Sequence, residues 1–141
     1  MLTQIKTFLL SRQWEFEQLD DDTVLTGFTS PLPNGQDHGF PLFIMLMQDT
    51  FGDRLVRLVI VPYIQRPVEG YPKDLFERIA RMNHNLSIAK FALDADGDLE
   101  LLIDVSTDHL DLSGFDSAVQ LLADYAGLHY SELTSASTEG Q

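Results

Sequence analysis

The apolar positions of the chain change period several times, and each change marks an element. Ile5, Phe8 and Leu9 recur at helical spacing, with Leu2 placed as a staple residue, so the pattern predicts a short helix from Thr3, as N-cap, to Arg12. Trp14, Phe16 and Gln18 then alternate with Glu15, Glu17 and Leu19, the period of a half-buried strand. Asp20-Asp21-Asp22 reads as a polar turn and Thr23 to Thr29 as the returning strand. Ser30 to Gly39 gathers Pro, Asn and Gly and reads as a long loop. Leu42 to Gln48 is a continuous apolar run of strand length, which predicts cover on both faces. A turn over Asp49 to Asp53 leads into a strand from Leu55 to Val61, ended by Pro62.

After a second loop, Pro67 to Pro72, the period returns to helical. Pro72 suits the first helical position, and Leu75, Phe76, Ile79 and Met82 form the stripe. Asp74 with Arg78 and Glu77 with Arg81 are expected as i,i+4 ion pairs, and Asn83-His84-Asn85 as the helix end, where Asn tolerates the left-handed conformation. Ile88 to Leu93 and Leu99 to Val105 predict a hairpin about a two-residue Asp96-Gly97 turn. Ser113, with Asp116 in place of the usual Glu, is expected to cap the last helix. Its stripe, Phe115, Val119, Leu122, Ala126 and His129, is widened by Leu121, Tyr125 and Leu128, so this helix is expected to touch the sheet and a second partner. From Ser131 the residues are small and polar, the composition of a flexible tail. The order α-β-β-β-β-α-β-β-α, with short connections between successive strands, predicts an α+β fold: a single antiparallel sheet packed by helices. It forms one domain over residues 1–130 with a tail over 131–141.

Composition narrows the function. With 141 residues, 44% hydrophobic and 22% charged, the chain suits one globular domain rather than a disordered segment. Its net charge is −13, and all nine Lys and Arg lie at or before Lys90, so the last 51 residues carry −11 of that total. This argues against a nucleic-acid-binding surface and a polybasic membrane anchor. The acidic stretch is expected to be a solubilising face; the sharper readings are a docking surface for a basic partner or an imitation of nucleic acid. Cysteine is absent, which excludes disulfides, thiolate metal sites and cysteine nucleophiles. No apolar run approaches the roughly 20 residues of a membrane span, and the start has no signal-peptide pattern, so a cytoplasmic location is expected.

Catalytic constellations are missing. Counted from Asp94 as a calcium loop, the sixth and twelfth places hold Leu99 and Val105 where Gly and Glu are required. His38, His84, His109 and His129 have no metal-ligand spacing, and neither a nucleophile elbow nor a phosphate-cradling Gly loop occurs. No enzyme activity, cofactor or metal is expected. Tyr63, Arg66 and Tyr71 are candidate partner-binding residues, since Tyr and Arg are favoured at interface hot spots; Leu121, Tyr125 and Leu128 are the others.

The run from Asn83 to Asp94, then Asp96-Gly97-Asp98-Leu99, an apolar strand and a helix with a Tyr-rich end resembles the YbjN-like group, which is similar to the type III secretion chaperone fold. Leu75 to Tyr130 carries most of the match, and short acidic cyanobacterial proteins are also similar. An extra strand or long hairpin before the second helix departs from the pattern. The resemblance implies a compact α+β domain, often a dimer, that binds another protein, or a role in regulation and stress response; it supplies no catalytic residues. The expectation is a non-enzymatic protein-interaction module, chaperone-like or regulatory, acting as a homodimer. The alternative is a small-molecule or metal-binding domain with its site beneath the 30–39 loop.

Overall fold

Three hairpin turns of one design shape the sheet. In each, five residues connect the strands, the fourth is a glycine at positive φ, and an Asp or Asn side chain accepts backbone N–H groups. At Asp49-Thr50-Phe51-Gly52-Asp53, Asp49 N donates to Asp53 O (2.9 Å), and Asp49 Oδ1 accepts from Phe51 N and Asp53 N. At Asp94-Ala95-Asp96-Gly97-Asp98 the same bonds recur, with Asp94 Oδ1 accepting from Asp96 N and Asp98 N. Leu32-Pro33-Asn34-Gly35-Gln36 repeats the scheme with Asn34 accepting from Gln36 N. The two-residue Asp96-Gly97 turn is thus corrected to five residues. Leu93 and Leu99 stand opposite each other in register, and the Asp94 carboxylate is engaged by its own turn.

The computed structural model describes residues 1–108 and 110–139; His109 and the last two residues of the expected tail lie outside them. The elements are α1 (Leu2–Ser11), β1 (Glu17–Gln18), β2 (Thr23–Pro31), β3 (Asp37–Gln48), β4 (Arg54–Ile60), α2 (Lys73–Asn85), β5 (Ala89–Leu93), β6 (Leu99–Ser106) and α3 (Leu112–Glu139). The strands form one six-stranded antiparallel sheet in the order β1-β2-β3-β4-β6-β5, with β5 returning on the far side of β6. Element order and fold class are as expected from the sequence.

One face of the sheet is covered. Val24, Leu42, Ile44, Leu58, Leu101 and Ile103 lie on it, fully buried, and share a single core with Ile5 and Leu9 of α1, Leu75 and Ile79 of α2 and Phe115, Leu122 and Ala126 of α3. The opposite face carries Leu25, Phe43, Met45, Leu55, Val59 and Leu102, and none of these belongs to that core. The expectation of cover on both faces of Leu42 to Gln48 is therefore corrected. Leu42 and Ile44 are buried, whereas Phe43, Met45 and Met47 are half-buried on the side no core residue shares.

Other expectations are revised. Only Glu17–Gln18 pair as a strand; Trp14 and Phe16 instead turn their rings onto the core. The expected 30–39 loop is mostly strand: β2 runs to Pro31 and β3 begins at Asp37, because each flank alternates in register with the other. Met1, not Thr3, occupies the first cap, and Asp111, not Ser113, caps α3, its carboxylate accepting from Gly114 N (2.7 Å). Arg78 bonds Glu132 of α3 (3.2 Å) rather than Asp74, while Arg81–Glu77 forms as expected (2.8 Å). The left-handed residue after α2 is Ile88, not an Asn.

The largest revision concerns the tail. α3 runs 28 residues, about 42 Å, to Glu139. Leu133 and Ala136 continue the stripe of Ala126 and His129 and are buried, so the polar composition concealed a helical period that still reaches the core. The β2–β3 hairpin grips this helix. Ser30 Oγ donates to Ala123 O (2.9 Å), the His38 ring stacks on Tyr130 (4.2 Å between centroids), and Gly127 lies so close that a Cβ there would meet Pro31 O at 2.5 Å. In an exposed helix interior, Gly→Ala gains about 1 kcal/mol. Here overpacking against backbone, costing about 1–3 kcal/mol, wins. Gly127→Ala is expected to lower the thermal midpoint; a raised midpoint would show that the hairpin does not press on the helix.

Candidate protein-docking surface

The chain segment between β4 and α2, residues 61–72, is bonded to the start of β6. Tyr63 N donates to Leu99 O (2.7 Å), and Leu99 N donates to the Tyr71 hydroxyl (3.1 Å), which itself donates to Ile64 O (2.6 Å). Arg66 Nη1 donates to Asp96 O, its Nε lies 3.6 Å from Asp98 Oδ1, and its guanidinium covers the face of Gly97. Tyr63 is only 3% exposed; its hydroxyl donates to Ala126 O (2.5 Å), and its ring packs among Phe40, Phe91 and Tyr130. Burial raises both phenols above the ordinary tyrosine value. The exposed Tyr63–Arg66–Tyr71 patch expected from the sequence is therefore corrected: all three tie this segment to α3 and the β5–β6 hairpin, and only the Arg66 side chain keeps substantial exposure.

Leu121, Tyr125 and Leu128 do share one stripe of α3, the stripe turned toward α2. Tyr125 Oη accepts from Ser87 N (3.1 Å), and Glu132, next along the stripe, holds Arg78 of α2. Leu121 and Tyr125 are half-buried, Leu128 is 58% exposed, and Ile88, the residue after Ser87, is 73% exposed. Asp124 and Glu132 stand one turn to either side of Leu128. This combines an exposed apolar centre with an acidic surround.

Two residues that the sequence reading missed hold the surface in place. Asn83 bonds both backbone groups of Phe91: Phe91 N donates to Oδ1 (2.8 Å) and Nδ2 donates to Phe91 O (3.0 Å). A helix side chain thus takes the place of a further strand at the edge of β5. Gly127, the second, was legible only as a glycine inside a helical stripe. Nearby, burial holds the His129 imidazole below its ordinary value against the opposing pull of Glu132, with Phe91 and Tyr125 as its aromatic neighbours.

Beside the expected 30–39 site lies a cleft of about 230 Å³ between Trp14, Phe28, Ser30, Val119 and Gln120. Ligand pockets are typically about 300–1,000 Å³. Arg12 at its rim is engaged by Asp116 (2.8 Å) and by the Trp14 ring. Several of the late carboxylates are engaged by arginines. Asp98, Asp104, Asp116 and Glu132 each pair with an arginine from the first ninety residues, which removes these four from any unpaired acidic array.

A one-sided six-stranded sheet under three helices in this order defines a protein of the type III secretion chaperone fold. The chain superposes on a chain of the heterodimeric ExoU–SpcU complex from the type III secretion system of Pseudomonas aeruginosa with a TM-score of 0.56 and 18% identity, covering 95% of this chain and 98% of that one. A chain of the HopA1–SchA chaperone–effector complex gives 0.56 and 15% identity over 96% and 93%. A chain of the ExsC–ExsE complex gives 0.53 and 15% over 88% and 86%. By sequence the chain belongs to the YbjN family, described as "Putative bacterial sensory transduction regulator", which matches residues 2–135. No curated protein matches it significantly.

Two measurements test this geometry. Asn83→Ala leaves the Phe91 amide and carbonyl unsatisfied and is expected to cost about 1–3 kcal/mol, with faster hydrogen exchange at the Phe91 amide; unchanged exchange would show that the side chain does not close this edge. For His129, an unfolded imidazole titrates near 6.5 and its folded value is lower, so the unfolded chain takes up the proton first. Its contribution to stability is whole above the unfolded value and is lost as pH falls through it toward the folded one. The stability of the wild type relative to His129→Gln is expected to fall between about pH 8 and pH 5, as read from denaturant midpoints; a rise would reverse the assignment.

Proposed function

We propose that this protein is a non-enzymatic binding module, chaperone-like or regulatory, which works as a homodimer and holds another polypeptide against α3. The observation that carries the reading is Leu128, 58% exposed on a helix whose other face is anchored in the core. Leu121, Tyr125 and Ile88 extend the apolar area around it. Ile88 is β-branched and sits at φ 64°, a conformation costing such a residue about 1–2 kcal/mol. Strain of this kind persists where surrounding structure enforces it and is concentrated at functional segments. Asp124, which no arginine engages among the described residues, suits a partner that offers an apolar anchor beside a Lys or Arg. The three solved neighbours come from two-protein complexes, one of them named as chaperone with effector, which supports a binding role.

Leu128→Glu places a charge at the centre of the surface without disturbing the core. It is expected to abolish capture of the partner seen with the wild type by affinity purification from the native cell, while the thermal midpoint shifts by no more than a few degrees. An unchanged set of captured proteins would remove the α3 surface from the proposal. Light scattering at micromolar concentration is expected to give twice 15.9 kDa; a strict monomer would remove the homodimer.

A further inference from the structure

We infer that two copies of the chain meet through the uncovered face of the sheet, packed face to face. The inference rests on the homodimer proposed above and adds the surface and the symmetry. The strand register places one continuous row of side chains across all six strands on that face. Glu17 stands opposite Leu25, Leu25 opposite Phe43, Phe43 opposite Val59, Val59 opposite Leu102, and Leu102 opposite Lys90. The row is apolar through its four central members, acidic at one end and basic at the other. The ends are exposed, Leu25 and Phe43 are half-buried, and Val59 and Leu102 form its floor at 2% and 1% exposure.

The polarity of this row selects the partner and the axis. A two-fold axis lying in the interface along the strands reverses the row between copies. It sets Glu17 over Lys90 at both ends, Leu25 over Leu102 and Phe43 over Val59. An axis across the strands would instead set Glu17 on Glu17 and Lys90 on Lys90. The neighbouring row, Thr23, Met45, Arg57 and Asp104, follows the same operation, with Met45 over Arg57 and Thr23 over Asp104. Arg57 and Asp104 enter as a neutralised pair, bonded twice within one protomer at 2.7 and 2.9 Å.

Net charge points to the same face. A chain of −13 repels its own copy except where charge is balanced. Around these rows Arg57 and Lys90 stand against Glu17, Glu100 and Asp104, which leaves this face within one charge of balance. Facing sheets settle ~10 Å apart, a spacing at which the half-buried side chains of two such faces meet.

The test uses the full chain and residues that lie outside the core. Glu17→Lys and Lys90→Glu are each expected to raise the dimer dissociation constant about three- to tenfold, since each meets a like charge. The double variant, with both charges exchanged, is expected to return to within about twofold of the wild type. Phe43→Asp is expected to give monomer by light scattering with unchanged far-ultraviolet circular dichroism. A wild type that stays monomeric at 100 µM (an assay condition, about 100-fold above typical micromolar binding) would overturn the homodimer and this interface together. A dimer insensitive to all of these variants but broken by Leu128→Glu would overturn this interface alone. Phe43→Asp that leaves the dimer intact and abolishes partner capture would assign the face to the client and likewise overturn it.

Discussion

One-sided burial is the constraint from which the rest of the molecule follows. A six-stranded antiparallel sheet has two faces, and all three helices contribute to a core on only one of them. Closing that core requires one long helix to lie across β2 and β6, and the backbone must come close for it to do so. Gly127 permits the approach, Ser30 and Tyr63 bond the carbonyls of Ala123 and Ala126 in the turn before it, and His38 stacks on Tyr130 one turn further on. Once α3 is fixed, its outward stripe is fixed too, with Leu128 at the surface and Tyr125 bonded to the chain between α2 and β5.

Charge that is segregated along the sequence is reunited in space. The first ninety residues hold every arginine and the later ones an unbroken run of acids. In the fold, Arg12, Arg57, Arg66 and Arg78 each reach across to an acid from beyond Lys90. Most of these pairs are partly solvated and worth no more than about 1 kcal/mol apiece. Arg57 with Asp104 is the better bonded: the pair sits directly opposite in the β4–β6 register, and the paired carboxylate holds the guanidinium above its ordinary value. These contacts fix how the two halves sit together more than they stabilise them, and they leave the remaining carboxylates as the net charge.

The order of elements was readable from the chain because period is a local property. The stripe of α3, the β5–β6 hairpin and the strands on either side of Asp49 to Asp53 all announce themselves within a dozen residues. What was misread depends on distant contacts. Pro31 and Gly39 look like loop residues until their partners across the hairpin are known. Ser131 to Glu139 looks like a tail because one Leu and one Ala make a faint stripe, visible only once the core it meets is in place. Tyr63 looked like an interface residue, but its hydroxyl had a carbonyl sixty-three positions away. For the docking surface, Leu121, Tyr125 and Leu128 were legible as surplus apolar width on one helix. Asn83 was not, since nothing local says that an amide will stand in for a strand.

That substitution has a consequence for the colloidal behaviour of the protein. The open edge of a sheet is a template on which fibrils grow, strand upon strand. At one margin the outermost strand, Glu17–Gln18, is only two residues long and covers Val24 and Leu25 of β2, leaving the outer edge of β2 from Thr26 to Pro31 without a partner strand among the described residues. At the other, both backbone groups of Phe91 are already occupied, so an intruding chain must first peel a helix side chain away. The two margins are therefore unequal: lateral growth is blocked at β5, and an incoming strand would find its template along β2.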